Sequence, residues 1–327
     1  MTTTRRMACT LIAGGMALLQ GMQAHAAETY PQQKPITIIV PQAAGGASDV
    51  VLRIVAQKMS TLLKQSVVVD NRPGAGGNIG IVAAARAPAD GYTLLFNVSS
   101  AHLVNPFLYK NPGFSPEKDF VPVAPFATGG MVLVAAPTFA PNNVNELIEL
   151  AKAKPGELTF ASAGNGTLNH LLGEMFNRAA DVQITHIPYR GAPAAATDVM
   201  SGRVSIAYQA LASSGAFIKG GKLKVLAVAN KERLESLPGV PSIAETVPGF
   251  GETPWYGLFA PAATPPAIVA ALADATRQAL RDPAVIQGLA SQGAKPYLAT
   301  PAAFRQSISS DLARWKKIVE ESGAHVD

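Results

Sequence analysis

Three glycine-rich segments of the sequence have residue types that could hold an anionic ligand. They cover residues 41–49, 71–80 and 161–167, and each follows a short apolar run and precedes a helical pattern. A loop in that position presents unpaired backbone N–H groups and the positive end of a helix dipole. Glycine lets the backbone approach a ligand closely, and the hydroxyls of Ser48 and Thr167 add donors. The chemistry expected of these loops is therefore binding of a negatively charged group.

None of the three loops carries a nucleotide-binding motif. The dinucleotide fingerprint has glycine at its first, third and sixth positions, and the sixth position counted from Gly74 is Ile79. The phosphate-binding pattern of glycine, four residues and then Gly-Lys-Ser/Thr is also absent. Charge-assisted hydrogen bonds contribute about 1.5–3 kcal/mol each, so several donors could hold a carboxylate without an arginine. The alternative is that the loops are only tight turns, with Asp49 or Thr167 near a helix cap.

Other reactive side chains do not form a recognisable catalytic or metal site. His102, His170 and His186 lack the spacing of a zinc site, and the chain has one cysteine, Cys9. Serine lies near histidine in two stretches, but neither is a G-x-S-x-G elbow. We therefore expect structural histidines and no catalytic residue, metal or cofactor. A periplasmic serine hydrolase is the alternative function that the sequence leaves open.

The first 26 residues have the pattern of a secretory signal peptide. Arg5 and Arg6 precede an apolar run over residues 7–19, and Ala-His-Ala at residues 24–26 is a cleavage motif. We expect cleavage after Ala26 and a periplasmic mature protein. Because two of the 27 basic and none of the 22 acidic residues are removed, the mature net charge is +3. The charges are scattered, so we expect no nucleic-acid binding. No later apolar run reaches the ~20 residues of a membrane helix, so we expect a soluble mature protein.

Short apolar runs alternate with helical patterns along the rest of the chain, which predicts an α/β fold. Its length suits two lobes, each with a mainly parallel sheet. Strands are predicted at 36–40, 67–69, 93–98, 131–134, 159–162, 184–187, 204–208, 224–229 and 255–260. Helices are predicted at 49–63, 144–152, 168–179, 192–201, 266–280 and 301–321, with one more ending at Ala85. The chain is predicted to leave its first lobe and return, so that residues 27–127 with 252–327 form lobe 1 and residues 128–251 form lobe 2.

An ordered set of short motifs covers almost the whole mature chain. The motifs are Tyr30-Pro31, Lys34-Pro35-Ile36, Val40-Pro41 with Gly45-Gly46 and Asp49, Asn71 to Gly80, Asp90 to Leu94, Ala151 to Gly156, Ala161 to Thr167, His186 to Gly191, and Trp255 to Leu258. In this order they resemble the extracytoplasmic solute-binding receptors of tripartite tricarboxylate transporters, also called Bordetella uptake gene receptors. No single motif carries the resemblance, which depends on the ordered set.

The resemblance implies a two-lobed periplasmic binding fold of type II-like form, with the ligand in the cleft between the lobes. It implies that loops 42–49 and 162–167 hold one carboxylate, with loop 71–80 as a wall. The predicted ligand-binding residues are Gln42, Ala44, Gly45, Gly46, Ser48, Asp49, Ser99, Ser162, Ala163, Gly164, Asn165, Gly166, Thr167, Tyr189 and Gln209. The expected ligand is a di- or tricarboxylate or an aromatic acid, and the expected partners are the large and small membrane subunits of a transporter. A monomer is expected, and a receptor that feeds a sensor kinase is an alternative role.

Two residues depart from the family pattern and bear on the ligand. Gln42 stands where relatives often have phenylalanine, and Gln209 stands where many have aspartate. Without that carboxylate an ammonium group loses its partner, so an amino-acid ligand is not expected. We expect these two amides to bind a second carboxylate or a hydroxyl, and the alternative is that they are surface amides. Trp255 and Tyr256 are predicted either to line the cleft or to pack in the core.

Overall fold

The computed structural model describes residues 30–322, an α/β chain with two β-sheets. The strands are β1 (Ile36–Val40), β2 (Val67–Asn71), β3 (Thr93–Val98), β4 (Phe120–Gly129), β5 (Met131–Ala135), β6 (Thr159–Ser162), β7 (Thr185–Pro188), β8 (Ile206–Ala210), β9 (Lys224–Val228), β10 (Trp255–Pro261) and β11 (Ala294–Pro296). The helices are α1 (Ala47–Leu63), α2 (Asn78–Ala85), α3 (Ser99–Leu103), α4 (Asn105–Leu108), α5 (Val144–Ala153), α6 (Leu168–Ala180), α7 (Ala192–Met200), α8 (Leu211–Lys219), α9 (Pro266–Ala279), α10 (Pro283–Ser291) and α11 (Pro301–Ser322). The predicted signal peptide lies outside the described residues.

The first sheet has the strand order β11-β4-β10-β3-β1-β2. Strands β2 and β3 pair with β1 in parallel, whereas β10 runs antiparallel to both β3 and β4. Apolar side chains of β1, β3 and β10 enter two buried clusters, one on each face of the sheet. Because both faces are covered by helices, these strands consist almost entirely of buried apolar residues.

The second sheet has the order β7-β6-β8-β5-β9. Strand β6 pairs in parallel with β7 and β8, but β5 runs antiparallel to β8 and β9. Both sheets are thus mixed, and the prediction of mainly parallel sheets is wrong. Strands β4, β5 and β10 lie next to the crossings between the lobes. They run antiparallel to their neighbours because the chain leaves and re-enters the sheets there.

The chain crosses between the sheets at two adjacent extended segments. The N–H of Gly129 donates to the carbonyl of Pro254 at 2.8 Å. The buried Asn230 amide joins the same region, since its Nδ2 donates to Gly129 O at 2.9 Å and its Oδ1 accepts from the N–H of Met131 at 2.6 Å. These bonds hold the two crossing segments side by side. The domain boundaries expected after residues 127 and 251 are close to these crossings and stay a prediction.

Candidate ligand-binding site

A cavity of about 620 Å³ lies between the two sheets. Its first-lobe wall comes from the loops after β1 and β2 and from the end of β3, and its second-lobe wall comes from the loops after β6 and β7 and the end of β8. The carboxyl ends of strands from both sheets therefore meet at one space. Ligands of α/β proteins bind at such strand ends because the loops there are free to vary.

Within residues 30–322, five helices of at least eight residues begin at this cavity. The N-cap residues that line it are Gly46, Gly77, Thr167, Gly191 and Ala210. None of the five provides a side-chain hydrogen bond to its own helix. Helices α5 and α10 begin elsewhere and are capped by Asn143 and Asp282. The cavity thus collects uncapped positive helix ends, which is a favourable environment for an anion.

The loop after β1 uses its own glycine N–H groups internally. Gly45 donates to Asp49 Oδ2 at 3.0 Å, and Gly46 donates to the carbonyl of Ala43 at 3.0 Å. Burial opposes ionisation of Asp49, but the hydrogen bonds from Arg53 (2.9 Å) and Gly45 outweigh it and hold the pKa of this carboxyl below its usual value. The donors that remain for a ligand are the first-turn N–H groups of α1, which lack partners within the helix.

The loop after β6 rests on a serine and two histidines. Ser162 Oγ accepts from the N–H of Gly164 at 3.1 Å and lies 2.6 Å from His186 Nε2. The N–H of Gly166 donates to His170 Nδ1 at 3.2 Å, and the two imidazole rings stack at 4.2 Å. Burial and the neighbouring His170 lower the pKa of His186 to about 4. Both histidines are therefore neutral at pH 7, and they support the loop without lining the cavity.

The two lobes touch on both sides of the cavity. On one side the Tyr109 hydroxyl of the first lobe donates to the carbonyl of Asn165 in the second lobe at 3.1 Å. A Cβ added to Gly166 would lie 3.0 Å from Leu108 Cδ2 and 3.1 Å from Tyr109. On the other side, a Cβ on Gly191 would lie 2.9 Å from Ala43 Cβ. Glycine thus permits the side chains of the first lobe to approach the second-lobe backbone on both sides of the cavity, and the lobes are in contact across the cleft.

The polar lining of the cavity has no acidic side chain among the described residues. Arg190 is the one charged residue that lines it. Ser48 and Ser100 are buried residues that line the cavity, and neither hydroxyl has a hydrogen-bond partner within residues 30–322. The buried Oε1 atom of Gln42 is likewise unpartnered. These groups can donate to or accept from a bound molecule, and only the arginine carries a charge.

The structure brings about half of the sequence-predicted site residues to the cavity. The predicted residues that line it are Gln42, Gly46, Ser48, Ala163, Gly164, Asn165, Thr167 and Tyr189. The predicted residues that do not line it are Ala44, Gly45, Asp49, Ser99, Ser162, Gly166 and Gln209. Five residues of the second group belong to the same two loops but do not line the cavity, so they contribute to the shape of the loops. They are Ala44, Gly45, Asp49, Ser162 and Gly166.

Three of the predicted residues are placed differently for clear physical reasons. Ser162 is fully buried and its hydroxyl bonds within its own loop. Ser99 Oγ accepts from the N–H of Trp255 at 3.3 Å. Gln209 is 1% exposed on the central strand β8, with both amide atoms buried and unpartnered. The suggestion that Gln209 contacts a ligand does not fit its position outside the cavity lining.

Sequence reasoning missed several residues that line the cavity. Ser100 follows Ser99, and a one-residue shift at the end of β3 decides which of them faces inward. Arg190 directly follows Tyr189, so its position in the same motif was the available signal. Tyr109 gave no sequence signal, because α4 brings it to the cleft through tertiary packing. Of the two aromatic residues that were predicted either to line the cleft or to pack in the core, Tyr256 lines the cavity, whereas Trp255 donates its indole N–H to Asp311 at 3.3 Å.

The remaining chemistry of the site gives no support for nucleophilic catalysis. Ser162 and His186 lie within hydrogen-bond distance, but the serine is 0% exposed. His102 is buried against Phe259 at 4.1 Å, and burial lowers its pKa to about 3. In the described part of the chain no three His, Cys, Asp or Glu side chains cluster as metal ligands. No helix between residues 30 and 322 has both the length and the apolar character to cross a bilayer.

Comparisons with known sequences give a consistent match. The profile of the tripartite tricarboxylate transporter family receptor matches residues 51–324. Protein BugT of Bordetella pertussis is 39% identical over 300 residues, which cover 91% of this chain and 92% of BugT. The UPF0065 protein of the tcbD-tcbE intergenic region of Pseudomonas sp. strain P51 is 38% identical over 296 residues, covering 90% of this chain and 88% of that protein.

Solved structures show the same fold. Periplasmic binding protein BugD matches with a TM-score of 0.86 and 33% identity, over 90% of this chain and 99% of that one. Rpa4515 of R. palustris, solved with adipate, matches at 0.87 and 32% identity, over 91% and 100%. MatC of Rhodopseudomonas palustris, with bound malate, matches at 0.83 and 30%, over 88% and 99%. The predicted two-lobed α/β fold is confirmed, and so is the expectation of a solute-binding protein that is not an enzyme.

Proposed function

Because the chain belongs to the tripartite tricarboxylate transporter family of receptors, we propose that it captures an organic carboxylate in the cleft between its lobes. The observation that carries this proposal is the convergence of five uncapped helix N-termini on one cavity without an acidic side chain. Helix ends place partial positive charge and free N–H groups at the ligand. A carboxylate is attracted by the positive charge and accepts hydrogen bonds from the N–H groups. An uncharged solute lacks that attraction and is held less strongly.

The lining favours an acid with an apolar body over an amino acid. Apolar and aromatic residues supply much of the wall, including Met131, Leu168 and Tyr256. The Tyr189 hydroxyl is occupied by Asp198 at 2.8 Å, so neither group is available to an ammonium. Adipate and malate in the two R. palustris structures are both dicarboxylates. A di- or tricarboxylate or an aromatic acid therefore remains the proposed ligand class.

The proposed mechanism is closure of the two lobes on the anion. The open and closed forms differ at the cleft contacts, and a ligand that touches both lobes binds the closed form more tightly. Closure would present one complementary surface to the large and small membrane subunits of a transporter. We place the mature receptor in the periplasm as a monomer, after removal of residues 1–26. A role in feeding a sensor kinase would use the same closed form.

The test is a ligand screen with thermal unfolding as the readout. Dicarboxylates, tricarboxylates, aromatic acids and amino acids are added to the mature protein at equal concentration. A ligand at 100 times its dissociation constant stabilises the folded state by about 2.7 kcal/mol, which gives a clear rise in Tm. We expect rises only among acids without an ammonium group. Stabilisation by amino acids alone, or by no carboxylate at all, contradicts the proposal.

A charge variant tests whether the helix ends form the site. Ser48→Asp places a carboxylate in the first turn of α1 at the cavity, where the helix dipole favours it, and an unchanged Tm of the free variant checks that the fold is kept. The same charge would repel an anionic ligand, and we expect binding of every hit to fall at least tenfold. Gln57→Glu is the matched control, because it adds one negative charge to an exposed position of the same helix. Unchanged binding by the Ser48 variant would refute the placement of the carboxylate.

A further inference from the structure

We propose that Arg190 recognises a second anionic group, so that this receptor selects dianionic acids over monoanionic acids of the same length. This inference rests on the proposed function, and it adds a specificity-determining residue to it. Arg190 is the one charged side chain that lines the cavity within the described residues. The helix N-termini are numerous enough to hold one carboxylate without it. The arginine is therefore an additional positive charge in a site that already accepts an anion.

Arg190 is available to a ligand because no protein group occupies it. Its side chain is exposed and has neither an ion pair nor a hydrogen bond within residues 30–322. Several other arginines of the described chain are paired, such as Arg203 with Asp198 at 3.3 Å and Arg314 with Glu252 at 3.0 Å. A guanidinium at a cavity wall with five free N–H donors suits bidentate recognition of a carboxylate.

The backbone around Arg190 is fixed where the two lobes meet. Gly191 follows it with φ of 115°, in the region that favours glycine, and a Cβ there would lie 2.9 Å from Ala43 Cβ. On the other side, the N–H of Tyr189 donates to the carbonyl of Ser162 at 3.1 Å. The arginine is thus attached to a rigid loop that contacts the first lobe. Its position relative to the first-lobe helix ends, those of α1 and α2, changes when the cleft opens, which links recognition of the second group to closure.

The size and polarity of the cavity leave room for such a ligand. A volume of about 620 Å³ exceeds what one small carboxylate fills, and Ala101, Met131 and Leu168 provide apolar wall. An acid with two carboxylates joined by an apolar spacer would satisfy the helix ends, this wall and Arg190 together. A monoacid of equal length would leave the guanidinium without an anion. The expected preference follows from that difference.

The experiment measures affinity by calorimetry for matched pairs of ligands. A series of straight-chain diacids is compared with the monoacids of the same length, and terephthalate is compared with benzoate. Wild-type protein should bind the best diacid at least tenfold more tightly than its monoacid. Arg190→Gln should weaken diacid binding about 10- to 100-fold, the range of a charged hydrogen-bonded contact. It should leave monoacid binding within about twofold, because the other donors are unchanged.

Two further variants separate recognition from a general effect. Arg178→Gln removes an exposed arginine of the same lobe outside the cavity, and it should leave both affinities unchanged. Arg190→Lys keeps the charge but loses the planar fork, so the diacid preference should fall only partly. A Tm of each free variant equal to that of wild type shows that the fold is intact.

The outcomes distinguish this inference from the proposed function. Equal binding of diacids and monoacids by wild type, or an equal loss of both in Arg190→Gln, overturns the role of Arg190 and leaves carboxylate capture standing. Loss of preference confined to the Arg190 variants supports the inference. Failure of every acid in the series to bind the wild-type protein overturns the proposed function itself, and the inference with it.

Discussion

Replacing Gly166 by alanine should weaken closure of the cleft while leaving the second lobe folded. Gly166 has φ of 78°, and an added Cβ would lie 3.0 Å from Leu108 Cδ2 and 3.1 Å from Tyr109 across the cleft. Carbon atoms pack best at about 3.5–4.0 Å, so either the side chains of Leu108 and Tyr109 shift or the lobes move apart, in each case by several tenths of an ångström. The Tyr109–Asn165 hydrogen bond at 3.1 Å would be weakened by that movement.

The magnitude follows from the two effects together. An alanine in left-handed conformation costs about 1–2 kcal/mol in the free protein, and this term lowers Tm whether or not ligand is present. Loss of the interlobe hydrogen bond costs about 0.5–1.5 kcal/mol in the closed form only. Ligand affinity should therefore fall by a factor of about 2 to 12, since 1.4 kcal/mol corresponds to a tenfold change.

Gly156→Ala is the matched control for this prediction. Gly156 also belongs to the second lobe and has φ of 76°, but nothing lies within 4 Å of an added Cβ. Both variants should lose similar thermal stability, and only Gly166→Ala should lose affinity in calorimetric titration. Equal affinities in the two variants would refute the reasoning, because the cross-cleft contact would then have no part in binding.

Three more predictions follow from contacts in the site. Tyr109→Phe removes only the hydroxyl that donates to Asn165, and it should speed ligand dissociation about 2- to 12-fold in stopped-flow measurements without changing the Tm of the free protein. The pKa of His186 is about 4 in the folded chain against 6.5 ordinarily, so the unfolded chain takes up this proton first. The folded state loses no stability to this group above pH 6.5, and it is progressively destabilised as pH falls towards 4. His186→Gln should flatten the dependence of Tm on pH across that window. Asp49→Asn removes the charge that accepts from Gly45, and urea unfolding should show a loss of about 1–2 kcal/mol at neutral pH that shrinks as the pH falls below the ordinary pKa of the wild-type carboxyl.

Local sequence patterns were sufficient for most elements that carry the site. The strand predicted at residues 36–40 is confirmed at the same residues, and the helix predicted from residue 49 begins two residues earlier, at Ala47. Strand β4 was missed because Pro122 and Pro125 interrupt its pattern. The structure accommodates them with two shifts of register against β10, next to the prolines. Helix α10 was also missed, although Pro283 at its first position and Asp282 as its cap are typical start signals.

Tertiary contacts decided what the sequence pattern did not. The glycine N–H groups were expected to face the ligand, but Gly45 bonds to Asp49 and Gly166 bonds to His170. Asp49 and His170 each lie four residues after the glycine that they bond, so both were visible in the sequence. The direction of each side chain, however, depends on how the helix turns. The orientation of Gln209 depends on the central position of β8, and that position follows from strand order. The pattern locates a loop, and packing determines which of its atoms are free.

The gathered helix ends have a consequence for how capture responds to acidity. Peptide dipoles have no proton to lose, and arginine stays protonated throughout the physiological range. The attraction offered by this cavity is therefore constant while surrounding buffers change, in contrast to a pocket built from histidine or lysine. At any pH above the range in which the carboxylic acid itself is protonated, binding to such a receptor would depend on the concentration of the solute and not on pH.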